Sequence, residues 1–78
     1  MNSSQLRMAR AATRLSVREL AELAGVTPAT ISRFETEKGG LQMKTVQSIQ
    51  GALEKLGVVF VAKNGGPAGI RYEPIQED

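Results

Sequence analysis

Apolar residues recur along the first 57 positions at the three- and four-residue intervals of helices, and after Gly57 the interval shortens to that of strands. Leu6, Ala9, Arg10 and Thr13 share one face of a first helix that Ser3 or Ser4 can cap and that runs to about residue 14. Leu6 and Ala9 point at the core, joined by Leu15 from the connection. A second helix over about 17–24 carries Leu20, Ala21, Leu23 and Ala24, with Ser16 as its cap and Glu19 three residues later completing a capping box. Gly25 breaks it, supplying the positive φ of a sharp turn. Thr27 caps a third helix over about 28–36, with Pro28 in its first turn, where a missing N–H costs nothing. Leu20, Leu23, Val26, Ile31 and Phe34 are left to fill the wedge between these two helices. Val46, Ile49, Leu53 and Leu56 stripe a fourth helix over about 43–56, which closes the core and stops at Gly57 as a C-cap. Two strands follow over about 58–62 and 69–73, separated by turn residues. The pattern predicts a mainly α chain with a small β-hairpin: a four-helix domain over 1–57, a two-stranded hairpin over 58–73 and a frayed acidic tail over 74–78.

Capping, glycine turn and apolar spacing agree over residues 16–35, and there the chain resembles the helix-turn-helix of the phage-repressor and Cro (XRE-type) family of transcriptional regulators. The resemblance rests on Leu20 and Ala21, then Gly25, Val26 and Thr27, then Ile31, Ser32, Arg33 and Glu35. It extends back to Leu6, Arg7, Ala9 and Arg10 and forward to about Gly57. It implies that the third helix enters the major groove of double-stranded DNA and that the second lies across the DNA backbone. Pro28, Ala29, Thr30, Ser32, Arg33 and Thr36 are then the residues a groove meets, together with Thr27 at the cap. Arg33 is the strongest base reader, because an arginine fork matches guanine O6 and N7. Ala29 and Thr30 suit a thymine methyl. The family often places a phosphate-binding glutamine just after the cap of the second helix, where this chain has Val17. The contact then falls to Ser16, to Arg18 or to the helix N-terminus itself. The resemblance also pairs Arg10 with Glu35 as a structural ion pair between the first and third helices. Arg7 and Arg14 face solvent or a phosphate.

Composition narrows what such a domain can do. With 78 residues there is room for one small core. Histidine, cysteine and tryptophan are all missing, which removes disulfides, the usual zinc ligands, the commonest general base and the most reactive nucleophile. No P-loop, G-x-S-x-G or G-x-G-x-x-G occurs, so no catalytic activity is expected. No metal or cofactor is expected, and some twenty residues beyond Gly57 leave no room for a small-molecule sensor. The sequence has no apolar run long enough for a membrane span and no signal-peptide core; a cytoplasmic, nucleoid-associated protein of a bacterium or phage is expected. Net charge is only +2, but residues 1–44 hold seven basic side chains against four acidic ones. Lys38 and Lys44, flanking the paired Gly39 and Gly40, are the expected phosphate contacts alongside Arg18.

A lone hairpin is marginal in water, and its first strand is apolar on both faces. One face can pack on the helices; the other invites a second copy. Val58, Val59, Phe60, Val61, Ile70 and Tyr72 are therefore the candidate interface of a homodimer, which would also place two reading helices on a palindromic site. The expected function is a dimeric repressor that binds operator DNA. The alternative is an antitoxin or antiactivator of the same fold that works mainly by binding a protein partner. RNA binding is weaker, since two phenylalanines and one tyrosine offer little stacking surface.

Overall fold

The computed structural model describes residues 1–38, 41–62 and 66–75. Four helices, α1 (Ser3–Thr13), α2 (Val17–Ala24), α3 (Pro28–Glu35) and α4 (Met43–Glu54), precede strands β1 (Val58–Val61) and β2 (Gly69–Tyr72). The chain is mainly helical with one antiparallel hairpin. The loop glycines Gly39 and Gly40, the hairpin residues Lys63, Asn64 and Gly65, and tail residues 76–78 lie outside the described residues.

The cap of α1 is Asn2, not Ser3 or Ser4. Asn2 Oδ1 accepts from the Gln5 N–H at 2.7 Å, and Gln5 Oε1 accepts from the Asn2 N–H at 2.9 Å, a reciprocal box like that of Ser16 and Glu19. Asparagine caps as well as serine does, and only position 2 has a glutamine three residues on, so two orphan N–H groups are satisfied at once. Ser3 is consequently drawn inside as the first helical residue, and it is buried. Helix α1 ends with Arg14 in the left-handed region at φ 60°. Helix α3 ends at Glu35, with Thr36 as its cap. Helix α4 stops two residues before the expected end. Lys55 is its C-cap, and Leu56 and Gly57 close the turn with bonds to Leu53 and Glu54 three residues back. Gly57, at φ 104°, instead swings the chain into β1.

One core joins helices and hairpin. Leu6, Ala9, Leu20, Ala21, Ile31, Ile49, Leu53 and Val58 are all buried in it. Leu23, expected in the wedge between α2 and α3, is 56% exposed. The buried stripe of α2 is Leu20 and Ala21, extended by half-buried Val17 and Ala24. Leu23 lies about a third of a turn away from that stripe's centre.

In the hairpin Val58 pairs with Tyr72, Val59 with Arg71, Phe60 with Ile70 and Val61 with Gly69. Val58, Phe60, Ile70 and Tyr72 pack against the chain's own helices, while Val59 is 56% exposed and Arg71 points outward beside it. Buried Gln5 fastens the sheet to α1: its Nε2 donates to the carbonyls of Val61 and Gly69, each at 2.9 Å, across the last rung of the ladder. Its amide thus uses both donors on the hairpin and its acceptor on the cap. Among the described residues no helix is long and apolar enough to cross a membrane.

Candidate nucleic-acid interface

Helix α3 is held from behind and open in front. Its inner side buries Ile31 and Glu35 and half-buries Phe34 and Thr30. The opposite side exposes Pro28, Ala29, Ser32, Arg33 and, at the cap, Thr36. Short apolar and hydroxyl side chains there let another surface approach the helix closely, and Arg33 is the one long cation among them. No hydrogen bond or ion pair engages the Ser32 hydroxyl or the Arg33 guanidinium among the described residues. Thr27 and Thr30 are less free. Their hydroxyls share a hydrogen bond of 2.9 Å, and Thr27 Oγ1 also caps the Thr30 N–H at 3.3 Å. Thr36 donates its hydroxyl proton back to the Ser32 carbonyl at 2.8 Å. Lys38 and Lys44 are exposed on either side of the α3–α4 loop, as is Arg18 in the first turn of α2.

The start of α2 is a poorer anion site than its sequence suggests. The Ser16 N–H donates to Glu19 Oε1 and the Glu19 N–H to Ser16 Oγ, both at 3.0 Å. Hydrogen bonds from the Ser16 main chain and then from its hydroxyl hold the Glu19 carboxyl below the usual carboxylate range. A carboxylate that remains charged at neutral pH thus sits on the helix terminus and answers its dipole. Val17 and Arg18 retain N–H groups outside the helical ladder. Of the residues named for that contact, Arg18 has no ion pair or side-chain hydrogen bond among the described residues.

Behind α3 the Arg10 guanidinium grips the Glu35 carboxylate with two parallel bonds, Nε to Oε2 at 2.7 Å and Nη2 to Oε1 at 3.0 Å. Its Nη1 donates to the Leu15 carbonyl at 3.2 Å, tying the α1–α2 connection into the same knot. The side chains are 28% and 10% exposed. The hydrogen bonds to Glu35 raise the Arg10 pKa above its ordinary value; burial opposes the shift and Coulomb attraction to Glu35 adds to it. Both charges are partly dry, so the fork geometry fixes the crossing of α1 and α3 more than it adds net energy.

Arg7 is not turned to solvent alone. Its Nη1 donates to the Glu35 main-chain carbonyl at 2.8 Å and its Nη2 to Ser4 Oγ at 3.2 Å. Its spacing three residues before Arg10 places both arginines on one face of α1 and is the signal that would have found it. Gln5 and Asn2 were legible in the same way, as a capping pair three apart. Among the described residues no cluster of three or more metal-ligating side chains occurs.

A family model described as a helix-turn-helix domain matches residues 3–57, which takes in all four helices. Among curated proteins, a sucrose operon repressor from Streptococcus mutans serotype c is 46% identical over 39 residues, spanning 50% of this chain. The match covers only 12% of that repressor's own length.

Proposed function

Because this chain belongs to the helix-turn-helix domain family of XRE-like regulators, we propose that it is a sequence-specific repressor that inserts α3 into the major groove of double-stranded DNA. The family and the repressor relative support a DNA-binding transcriptional regulator. The single observation that carries the finer reading is the α3 surface. Ala29, Ser32 and Arg33 are exposed, and Arg33 is unengaged among the described residues, on a helix whose far end is bolted to α1 through Glu35. A fork held on a fixed helix is what bidentate reading of guanine requires. Arg18, Lys38 and Lys44 supply the phosphate grip, and Ser16 and Thr27 have smaller shares because their polar atoms are already used within the chain.

Arg33→Ala should relax base preference at one position of the half-site by about 1–3 kcal/mol. Lys38→Ala and Lys44→Ala should instead weaken binding to every duplex alike, each lowering the slope of log affinity against log salt by about one. Binding that ignores salt between about 50 and 200 mM would sink the DNA reading.

The hairpin is the proposed dimer element, on a narrower surface than the sequence suggests. Val58 is 2% exposed and belongs to the chain's own core, and Phe60, Ile70 and Tyr72 pack on its helices. Val59 with Arg71 on the outer face, Val61, and the free edges of a two-stranded sheet are what remain for a second copy. Sedimentation at tens of micromolar should give twice the 8.4 kDa chain mass, and Val59→Lys should give that mass once. A monomeric wild type would rule out the hairpin as a dimer element.

A further inference from the structure

The last turn of a helix leaves carbonyls without helical partners, and how they are satisfied decides how firmly that end is held. In α3 the Ser32 carbonyl accepts from the Thr36 N–H at 3.0 Å, that of Arg33 from the Lys38 N–H at 3.0 Å and that of Phe34 from the Glu37 N–H at 3.3 Å. The Glu35 carbonyl accepts from Arg7 Nη1 at 2.8 Å. Ser4, one turn earlier on α1, accepts from the other end of the same guanidinium. Glu35 is therefore gripped twice by α1, through its carboxylate by Arg10 and through its main chain by Arg7. The two grips differ in what they fix. A carboxylate contact pins the end of a side chain with rotatable bonds, whereas a carbonyl contact pins the helix backbone itself. A cation at a helix C-terminus also answers the negative end of the dipole.

Ser32 and Arg33 lie within three residues of that carbonyl, so a small rocking of the C-terminal turn changes where their side chains arrive. We propose that Arg7 is a positioning residue for DNA reading: its guanidinium caps the C-terminus of α3 and sets the tilt at which Ser32 and Arg33 meet the base edges. This rests on α3 being the DNA-reading helix. It assigns to Arg7 a role inside the protein, in place of the phosphate contact that its charge alone suggests.

The test compares wild type, Arg7→Gln and Arg7→Lys on two duplexes, the preferred site and the same site with the base pair read by Arg33 exchanged, from about 50 to 200 mM salt. Arg7→Gln should reduce discrimination between the duplexes by roughly fivefold while the slope of log affinity against log salt stays at its wild-type value. Arg7→Lys, which keeps a charged donor for the carbonyl, should restore most of the discrimination. A slope lowered by about one with discrimination intact would make Arg7 a phosphate contact and overturn the proposal, as would no change in either. A wild type that prefers no duplex would defeat the DNA reading instead. In that event amide exchange in the free protein judges the cap: Arg7→Gln should speed exchange at Thr36, Glu37 and Lys38 severalfold and leave Val26 N–H, bonded to Ala21 in the neighbouring turn, unchanged. Equal protection in both proteins would overturn it.

Discussion

Glu35→Ala is expected to lower the free energy of unfolding by about 2–3 kcal/mol, which in a domain of this size corresponds to roughly 10–20 °C in melting temperature. The substitution removes both acceptors of the Arg10 fork and leaves a guanidinium that is only 28% exposed with one carbonyl partner, Leu15. Breaking a fully buried pair costs more, about 3–5 kcal/mol, and the partial access of water to Arg10 brings the figure down. The effect should belong to the broken pair and not to the absence of charge. Replacing both partners with apolar residues of similar volume, Arg10→Met with Glu35→Leu, should recover much of the loss, because no unpaired charge is then left against the core. If thermal melting of Glu35→Ala matches wild type while base preference shifts, Glu35 reads DNA and the structural role assigned to it is wrong.

Gly57→Ala should cost about 3–4 kcal/mol, against about 1 kcal/mol for Gly25→Ala. Both glycines have positive φ, 104° and 71°. Their surroundings separate them. A Cβ at Gly25 meets no atom within 4 Å, so alanine there suffers only backbone strain. At Gly57 a Cβ would overlap the main-chain carbonyl of Glu73, whose N–H donates to the Gly57 carbonyl at 3.1 Å. That bond closes the hairpin at its helical end, beyond the Val58 and Tyr72 rung. Alanine must push the two chains apart and lose the bond as well as strain the turn. Urea or thermal unfolding of the two variants side by side decides the matter, and equal losses would contradict the close approach at Gly57.

The elements that could be read in advance were those in which one residue type answers one local demand. Ser16 with Glu19, Thr27 with Pro28, and the turn at Gly25 all follow from capping and from φ, and the structure has them at the expected places. The hairpin was legible because its β-branched run and turn residues break the helical interval. What escaped were choices between near-equal local options settled by distant contacts. Asn2 prevails over Ser3 as cap because Gln5, its box partner, is also needed under the hairpin, 56 and 64 residues further on. Leu23 looked like core by type, but the axis of α2 is set by its packing on α3 and α4, and that packing chose Ala24. Arg7 looked like a surface charge because sequence shows a side chain's charge and not the carbonyl waiting for it. On the candidate interface, sequence located the exposed residues of α3 and could not foresee that Ser16, Thr27, Thr30 and Thr36 spend polar atoms within the chain.

These internal bonds sharpen the proposed reading, under which Arg33, with Ser32 and Ala29 beside it, would carry most of the base information. Such a sparse surface would read few bases per half-site, and useful affinity would then depend on two copies engaging one duplex. Selection of bound duplexes from a random pool, at one fixed salt concentration, tests this most directly. The expected product is an inverted repeat whose half-sites are centred about one helical turn, roughly 34 Å, apart, with a guanine in each that Arg33→Ala no longer selects. Recovery of a pool with no preferred sequence, or of one whose preference Arg33→Ala leaves intact, would contradict it.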